Sequence, residues 1–238
     1  RVMMENAEEV LIGVEIMKKA LGINCAKIGI ENNKPEAIAH MKKMAASFSG
    51  TEIVPLKTKY PQGAEKQLVY ALTKREVPSG KLPIEVGCVV NNVGTALSIY
   101  YAVQKNRPLI DNVLTFTGKS VKENKNLLGR VGTSIRSVID YCGGLPEDTG
   151  KVISGGPMMG KAMVNLDAPT VKTTSSILVM SEKETKRKEQ TNCLRCGKCV
   201  SACPMGLEPI QLSLLSKQQR WEEAEKEYPI TEVYMRML

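Results

Sequence analysis

Four cysteines lie within eleven residues near the end of the chain, and their spacing is typical of a metal cluster site. The run has the pattern C-x2-C-x2-C-x3-C-P and consists of Cys193, Cys196, Cys199, Cys203 and Pro204. Bacterial ferredoxin-type 4Fe–4S sites share this pattern, because thiolates two residues apart can wrap one face of a cubane cluster. We therefore predict that the four cysteines ligate iron–sulfur clusters, with Gly197 giving the loop backbone freedom and Pro204 ending it.

Two other uses of such cysteines are weaker explanations of the spacing. Structural zinc sites usually pair two C-x2-C knuckles across a longer loop. A disulfide framework is disfavoured in a chain with no secretory signal. In two-cluster proteins the fourth cysteine of each run ligates the other cluster, and this chain has a single run. We therefore expect a second run beyond Leu238, with Cys203 serving the second cluster, and we expect the chain alone to hold iron poorly.

The three remaining cysteines are isolated from the run. Cys25, Cys88 and Cys142 fall within or beside predicted core elements. Buried free cysteines behave as small apolar side chains, so we predict that these thiols are buried and inert.

Two polar stretches interrupt the apolar pattern of the front half where open α/β sheets bind ligands, after the carboxyl ends of strands. The first contains Gly63, Ala64, Glu65 and Lys66, and the second contains Asn91, Asn92 and Thr95. Backbone amides and Asn side chains at a helix N-terminus suit a phosphate group. Ordinary helix capping by Asn or a glycine turn is the simpler explanation of each stretch, and spacing alone leaves both interpretations open.

The elements that must position these residues alternate between helix and strand. Apolar residues recur at helical spacing from Met3 to Leu21, and Gly22 supplies a stop. The pattern continues in the order below, with bounds approximate. It is a strand at 25–30, a helix at 35–48, a strand at 52–56, a helix at 63–72, a buried strand at 84–90, a helix at 93–103 and a strand at 109–116. This rhythm predicts an α/β domain with a mostly parallel sheet covered on both faces.

The pattern changes after Thr117. A short strand at 127–131, a short helix at 134–142 and a strand at 151–154 predict a small α+β module. Residues 181–190 are nearly all charged and predict a solvated linker, and helical patterning follows at 209–217 and 220–227. We accordingly assign four segments: an α/β domain at 1–112, an α+β module at 113–180, a linker at 181–190 and a cysteine-containing segment at 191–238.

Composition excludes several classes of protein. The 238 residues are 42% hydrophobic and 24% charged, which is typical of globular proteins, and no apolar run is long enough to span a membrane. The net charge of +8 suits an anionic cofactor, an acidic partner or a membrane surface. Only 4% of the residues are aromatic, and no basic block is interleaved with aromatic residues, so we expect no nucleic-acid binding. The start at Arg1, without an initiator Met, leads us to expect a fragment.

The stretch from Gly155 to Ala162 comes within one residue of the phosphate-binding loop G-x4-G-K-[ST]. Ala162 has no hydroxyl for magnesium, and Pro157 removes an amide that the phosphates would use. A tight Gly-Pro turn between strands is the better interpretation.

Four motifs in this order resemble the RnfC family, the peripheral subunits of Rnf ion-translocating ferredoxin:NAD oxidoreductase complexes. They are the stretch from Gly63 to Pro78, V-N-N-V-G-T at 90–95, G-G-P-M-M-G at 155–160 and the cysteine run. The resemblance covers essentially the whole chain. It implies a Rossmann-like front domain similar to the flavoprotein subunit of respiratory complex I, then a ubiquitin-like SLBB module and the first half of a two-cluster ferredoxin-like domain.

The resemblance also implies cofactors and their contacts. Asn91, Asn92 and Thr95 fall on the flavin-contacting N-V-E-T stretch of the flavoprotein in complex I, with Gly94 in place of its Glu. Residues 63–66 fall near a second flavin-contacting loop. FMN, NAD(H) and, in the full-length protein, two 4Fe–4S clusters are thereby implied. The glycine-rich loop that holds nicotinamide and flavin in that relative is expected before Arg1, so the fragment alone is expected to be inactive.

The function implied is electron transfer in a membrane-associated, ion-translocating oxidoreductase, among NAD(H), flavin and 4Fe–4S clusters. The expected partners are other Rnf subunits, including integral membrane ones, and ferredoxin-type redox proteins. The expected location is peripheral, on the cytoplasmic face of the bacterial inner membrane. A soluble flavin and iron–sulfur reductase, such as a cobalamin reductase of propanediol utilisation, has the same motifs and is the alternative. A noncatalytic scaffold is a third hypothesis.

Overall fold

The computed structural model describes residues 2–59, 62–78, 80–187, 189, 191–203 and 206–228. The chain divides into two compact units. The first contains residues 1–105 and 192–238, and the second contains residues 106–191. The four-segment division of the sequence, with its boundary at 112, stays a prediction.

The first unit begins with a helical region that the apolar spacing predicted. It forms two helices, α1 (Val2–Glu5) and α2 (Ala7–Leu21). Gly22 ends α2 in the left-handed conformation, with φ of 64°, and its N–H donates to the carbonyl oxygens of Lys18 and Lys19. A glycine adopts this conformation without the steric cost of a Cβ, so the predicted stop is confirmed.

Next comes a β-α-β unit that makes most of the apolar core. Its strands are β1 (Ala26–Glu31) and β2 (Thr51–Leu56), and α3 (Pro35–Ala45) connects them. The strands are parallel, with Ile28 opposite Ile53. Within the described residues they form a two-stranded sheet. The core of this unit brings together Val10, Leu11, Val14, Ile28, Ile30, Met41 and Ile53.

Two more helices complete the front of the unit, α4 (Glu65–Thr73) and α5 (Val93–Lys105). The strand predicted at 84–90 is wrong. Pro83–Val86 form a single 3-10 turn, and the following residues have no regular structure before α5. Gly87 lies in the left-handed region, with φ of 68°, and Pro83 has no N–H to donate to a ladder, so an apolar run between them does not extend as a strand.

α2 and α5 pack backbone to backbone. A Cβ added at Gly13 would lie 2.0 Å from the carbonyl oxygen of Ala96. Both residues are buried. Only a residue without a side chain permits this approach, so Gly13 sets the position of the first turn of α5.

The second unit is a mixed sheet with one helix packed on it. Its elements are β3 (Asp111–Gly118), β4 (Lys125–Arg130), α6 (Ile135–Tyr141), β5 (Thr149–Ser154), β6 (Lys161–Ala162), β7 (Ser176–Ser181) and α7 (Glu182–Thr185). The strand order is β4-β3-β7-β5-β6. β3 and β7 are parallel, and the other pairs are antiparallel. Phe116 and Ile177 are fully buried between the sheet and α6.

Several features of this unit bear on the sequence predictions. The strand ending near Phe116 was expected in the same mostly parallel sheet as β1 and β2, but it belongs to the sheet of the second unit as β3. Gly155–Gly160 form the turn of a hairpin between β5 and β6, in which Ser154 pairs with Lys161, so the turn interpretation is confirmed. The beginning of the charged segment is ordered, because Ser181 ends β7 and caps α7 with a reciprocal hydrogen-bonded box to Glu184.

The end of the described chain is helical. It contains α8 (Lys198–Ala202), α9 (Pro209–Lys217) and α10 (Trp221–Glu227), and the last two closely match the predicted bounds. No helix among the described residues is long and apolar enough to cross a membrane. The chain is thus a mixed α/β protein with a parallel β-α-β unit at its front.

Candidate functional site

A cavity of about 550 Å³ lies in the first unit beside β1. Its walls are the second half of α2, residues 25–29 along β1, the inner face of α4, and residues 87–93 leading into α5. Five successive residues of this strand region contribute, so β1 presents its edge to the cavity rather than one face. The volume falls within the range of small-molecule and cofactor sites.

Most of the cavity wall is apolar, and polar groups are few. Lys18 is buried, and its Nζ donates to Oε1 of Glu15 (2.7 Å) and to the carbonyl oxygen of Ser49 (2.6 Å). Arg75 is exposed and donates from Nη1 to the carbonyl oxygen of Val86 (2.8 Å). Lys18 is therefore neutralised by a carboxylate, whereas the guanidinium of Arg75 keeps its charge available to an anionic group at the wall.

Asn91 and Asn92 bring side-chain amides to the cavity where α5 begins. Oδ1 of Asn92 accepts a hydrogen bond from the N–H of Gly94 (2.8 Å), and its carbonyl oxygen accepts from the N–H of Thr95 (2.9 Å). Asn92 therefore caps α5, as the simpler explanation of this stretch proposed. Capping occupies the side-chain oxygen, and the amide nitrogen remains the group that can donate to a ligand.

The other predicted flavin contacts do not line the cavity. Gly63 and Ala64 precede α4, and Glu65 and Lys66 form its first turn. Nζ of Lys66 donates to the carbonyl oxygen of Pro78 (3.2 Å). The wall begins two residues further along α4, with Leu68, Val69 and Leu72. The structure thus places Asn91 and Asn92 at the cavity, and Gly63, Ala64, Glu65, Lys66 and Thr95 outside its lining.

The sequence prediction missed several cavity residues, and the prediction of buried thiols is wrong for two of the three cysteines. Cys25 is exposed, Cys88 is half-buried, and both line the cavity; only Cys142 is buried as predicted. Cys25 and Cys88 lie just outside regular strands, where neighbouring chain does not cover them. Lys18 and Arg75 also carried no sequence signal, because their positions depend on packing between distant elements.

The cysteine run forms an exposed loop leading into α8. Cys193, Cys196 and Cys199 are exposed, Cys203 is half-buried, and all four are free thiols. No group of three or more His, Cys, Asp or Glu side chains in the described parts of the chain is close enough to hold a metal ion. The structure therefore does not gather the four sulfurs around one point. Pro204 lies outside the described residues.

The loop backbone nevertheless has features that fit a cluster. The N–H of Arg195 donates to Sγ of Cys193 (3.4 Å). Arg195 and Gly197 are both in the left-handed region, with φ of 53° and 71°. Left-handed residues turn successive amide groups toward one side of a loop, and amides directed at sulfur favour a thiolate. The freedom predicted for Gly197 is confirmed, and the donor set of four free thiols fits an iron–sulfur cluster.

A second, smaller cavity of about 260 Å³ separates this loop from α9. Its lining residues are Arg195, Val200, Glu208, Ile210, Gln211 and Leu214. Apolar side chains from α9 therefore face the cysteine loop, with Arg195 and Glu208 as the charged members of the wall.

Comparison with known proteins begins with the front of the chain. Residues 1–101 match the family model described as the Nuo51 FMN-binding domain. Among solved structures, the fold is similar to an NAD+-reducing NiFe-hydrogenase in its H2-reduced state, with a TM-score of 0.61 and 17% sequence identity. That match covers 76% of this chain and 37% of the hydrogenase chain, and at this identity it concerns the fold alone.

Relatives of higher identity extend over nearly the whole chain. The chain is 50% identical over 230 residues to the RnfC protein of the proton-translocating ferredoxin:NAD+ oxidoreductase complex of Clostridium ljungdahlii. It is 44% identical over 223 residues to the RnfC protein of the Na+-translocating complex of Acetobacterium woodii. The alignments cover 96% and 94% of this chain but 50% of each relative, so the chain spans about half the length of these proteins. These similarities confirm the resemblance that the four motifs indicated.

Proposed function

We propose that this chain, a homologue of the RnfC proteins of ion-translocating ferredoxin:NAD+ oxidoreductases, is the part of such a protein that carries electrons between a flavin and iron–sulfur clusters. The observation that carries the proposal is the cysteine run. Four free thiols with ferredoxin spacing share one compact unit with a region that matches an FMN-binding domain. Neither a scaffold nor a structural zinc site requires this combination.

The finer architecture belongs to the same proposal. Residues 1–112 form the flavoprotein-like domain, 113–180 an SLBB-like module, 181–190 a connecting segment and 191–238 half of a two-cluster ferredoxin-like domain. The mixed sheet with one packed helix in the second unit supports the SLBB-like assignment. The cysteine loop and its helices support the last one.

The cavity beside β1 is where the chain's own residues would contact a flavin. Asn91 and Asn92 would donate from their side-chain amides, and the first turn of α5 at Thr95 would present backbone N–H groups to a phosphate or ring oxygen. Residues 63–66, at the start of α4, would form a second contact. The apolar wall would exclude water from an aromatic ring. A bound flavin supplies the exchange between two-electron chemistry with NAD(H) and one-electron chemistry with clusters.

The cysteine run would hold the clusters. We assign Cys193, Cys196 and Cys199 to one 4Fe–4S cluster and Cys203 to a second, which needs further ligands from elsewhere in the complete polypeptide. The N–H of Arg195 directed at Cys193 would stabilise the thiolate. The positive charges of Arg195 and Lys198 would favour the reduced, more negative state of a nearby cluster and so raise its potential.

Partners and location follow from the same proposal. We propose that the protein assembles with other subunits of the complex, including integral membrane ones, exchanges electrons with ferredoxin-type proteins, and lies peripherally on the cytoplasmic face of the bacterial inner membrane. The net charge of +8 is compatible with an anionic surface or partner. Copurification with integral membrane subunits distinguishes this assignment from a soluble flavin and iron–sulfur reductase.

The test uses the complete polypeptide that contains this chain, reconstituted anaerobically with iron and sulfide. We expect two clusters by iron analysis and by electron paramagnetic resonance (EPR) after reduction. Cys196→Ser should remove the signal of one cluster, because the remaining thiolates of the run then cannot complete it. The matched control is Cys142→Ser, which replaces a buried thiol of the second unit. A wild-type protein without clusters, or equal cluster content in both variants, would overturn the proposal.

A further inference from the structure

One surface patch lies among the thiols of the cysteine run. We call Leu194, Arg195 and Lys198 the cysteine-loop patch. Leu194 is 90% exposed, and the two cations are exposed as well. A single exposed leucine is ordinary on a protein surface, so its solvent exposure by itself indicates nothing. Its position between Cys193 and Cys196, with a cation on the next residue, is what distinguishes it.

The patch is positively charged without compensation. Residues 191–207 contain two basic residues and no Asp or Glu. Neither Arg195 nor Lys198 makes an ion pair or a side-chain hydrogen bond with any residue in the described ranges. Several exposed lysines elsewhere are paired, for example Lys34 with Glu31 and Lys119 with Glu184.

The nearest acidic residue along the chain is Glu208, which lines the small cavity together with Arg195. Its carboxylate accepts a hydrogen bond from the hydroxyl of Tyr228 (3.4 Å). Glu208 is exposed and belongs to the other wall of the cavity, so it does not cover the outward side of the loop. The patch therefore presents an apolar contact flanked by two unneutralised cations.

We propose that the cysteine-loop patch is the docking surface for an acidic electron-transfer protein, with Leu194 at its centre and Arg195 and Lys198 as the charged rim. This rests on the proposed function, since a redox partner must approach the clusters that the run holds. Charged rims accelerate encounter and orient partners, and a central apolar side chain slows dissociation. The exposed thiols place the cluster side of the loop in the same face as the contact residues.

A lipid surface is a poorer match for the patch. Each Lys or Arg near an anionic membrane contributes about 1 kcal/mol, and stable attachment needs a larger cluster of basic residues than two. A protein partner needs only a small, complementary contact for transient electron transfer.

The test measures association of the reconstituted complete polypeptide with two redox probes, an acidic 2Fe–2S ferredoxin and basic cytochrome c, under anaerobic conditions. One variant combines Arg195→Gln with Lys198→Gln. Its control combines Lys42→Gln with Lys43→Gln, which makes the same charge change at two exposed positions of α3. A second variant, Leu194→Gln, is matched by Leu128→Gln, which is 71% exposed in the second unit.

We expect the wild-type protein to bind the acidic probe more tightly than the basic one, with a dissociation constant that rises between about 50 and 200 mM salt. The paired charge variant should weaken binding roughly fivefold at low salt and flatten the salt dependence. Leu194→Gln should weaken it by roughly fivefold at every salt concentration, mainly through faster dissociation. Both controls should change binding less than about twofold.

EPR of each variant separates the two levels of the proposal. If no cluster forms in the wild-type protein, the proposed function fails and the docking surface fails with it. If clusters form and the patch variants bind the ferredoxin like their controls, only the docking surface is overturned. Patch-dependent binding to vesicles with about 30% phosphatidylserine, without patch-dependent ferredoxin binding, would also overturn it in favour of a membrane contact.

Discussion

The front of the first unit and the cysteine loop are organised in opposite ways. In the front, α2, α5 and the β-α-β unit bury their apolar faces, and Val10, Leu11 and Met41 are fully buried. In the loop, Leu194 is almost fully exposed and three of four thiols face solvent. Side-chain packing therefore fixes the residues around the cavity, whereas the loop has little apolar surface to bury and depends on its ligands.

This contrast teaches how each site is preorganised. The polar residues at the start of α5 are positioned by a helix crossing that only Gly13 permits. The cysteines are positioned by local backbone geometry, through the left-handed residues Arg195 and Gly197. Binding energy from a cluster can then complete a site that the protein leaves open, as in other metal-dependent small domains.

The contrast predicts very different costs for the same truncation. Leu11→Ala should lower the free energy of unfolding by about 3 kcal/mol, because it removes a fully buried side chain and leaves a cavity. Leu194→Ala should change it by less than about 0.5 kcal/mol. Urea unfolding followed by circular dichroism measures both. A loss at Leu194 as large as that at Leu11 would show that the loop is packed.

A second comparison tests the helix crossing. Gly13→Ala should destabilise by about 1–3 kcal/mol, since the added methyl would overlap the carbonyl oxygen of Ala96. The higher helix propensity of Ala offsets at most about 1 kcal/mol of that cost. Gly63→Ala is the control, because a Cβ there meets nothing within 4 Å.

The two glycine variants also separate positioning from contact. We expect Gly13→Ala to weaken flavin retention in the complete polypeptide together with stability, as α5 moves away from α2. Gly63→Ala should affect flavin retention without affecting the urea midpoint. Flavin fluorescence after gel filtration gives the first quantity. An unchanged stability of Gly13→Ala would mean that the helices separate without cost.

Thiol reactivity provides a third way to sharpen the contrast. Burial raises the pKa of the Cys142 thiol, and this residue is 4% exposed. In metal-free protein at about pH 8, iodoacetamide should therefore label Cys142 roughly tenfold or more slowly than Cys196. Peptide mass spectrometry over time measures each site. Equal rates would show that the core of the second unit opens readily or that the loop is covered.

The smallest effect concerns an exposed ion pair of the second unit. The hydrogen bond from Arg136 holds the pKa of Asp167 below its usual value. A carboxyl with a lowered pKa stabilises the fold at neutral pH, and that contribution disappears as the pH falls through the pKa of the folded state. Asp167→Asn should thus lower the melting temperature slightly at about pH 7 and not at about pH 3.

Glu147→Gln is the control for this pair, since Glu147 is exposed and makes no ion pair with the residues that the structure describes. A thermal shift for Asp167→Asn that persists in acid would assign the effect to lost hydrogen bonds of the side chain rather than to its charge.

Local sequence predicted elements well where their signals are local. The apolar spacing and Gly22 predicted the end of α2, and Pro209 to Lys217 predicted α9 at its observed bounds. Gly197 was expected to need an unusual backbone angle, and it has one. Helical periodicity, glycine stops and turn residues act within a few positions, so the chain states them directly.

Predictions failed where distant elements decide the outcome. The apolar run at 84–90 has strand composition but no strand partner, and the adjacent Gly87 and Pro83 turn it away. The strand containing Phe116 was expected beside β1 and β2, but it pairs with β4 and β7. Cys25 was expected in the core and lies exposed at the cavity. Period and composition do not specify which strand will be a neighbour.

The amino-acid sequence by itself determined the donor set, because the identity and spacing of four thiols are properties of a short stretch of chain. It also determined which helices form, through periodicity and caps. Only the tertiary structure decided that Asn91, Asn92, Lys18 and Arg75 surround one cavity. Those residues are brought together by close packing of α2 against α5 and of α4 beside β1, and such contacts depend on the shapes of surfaces far apart in the chain.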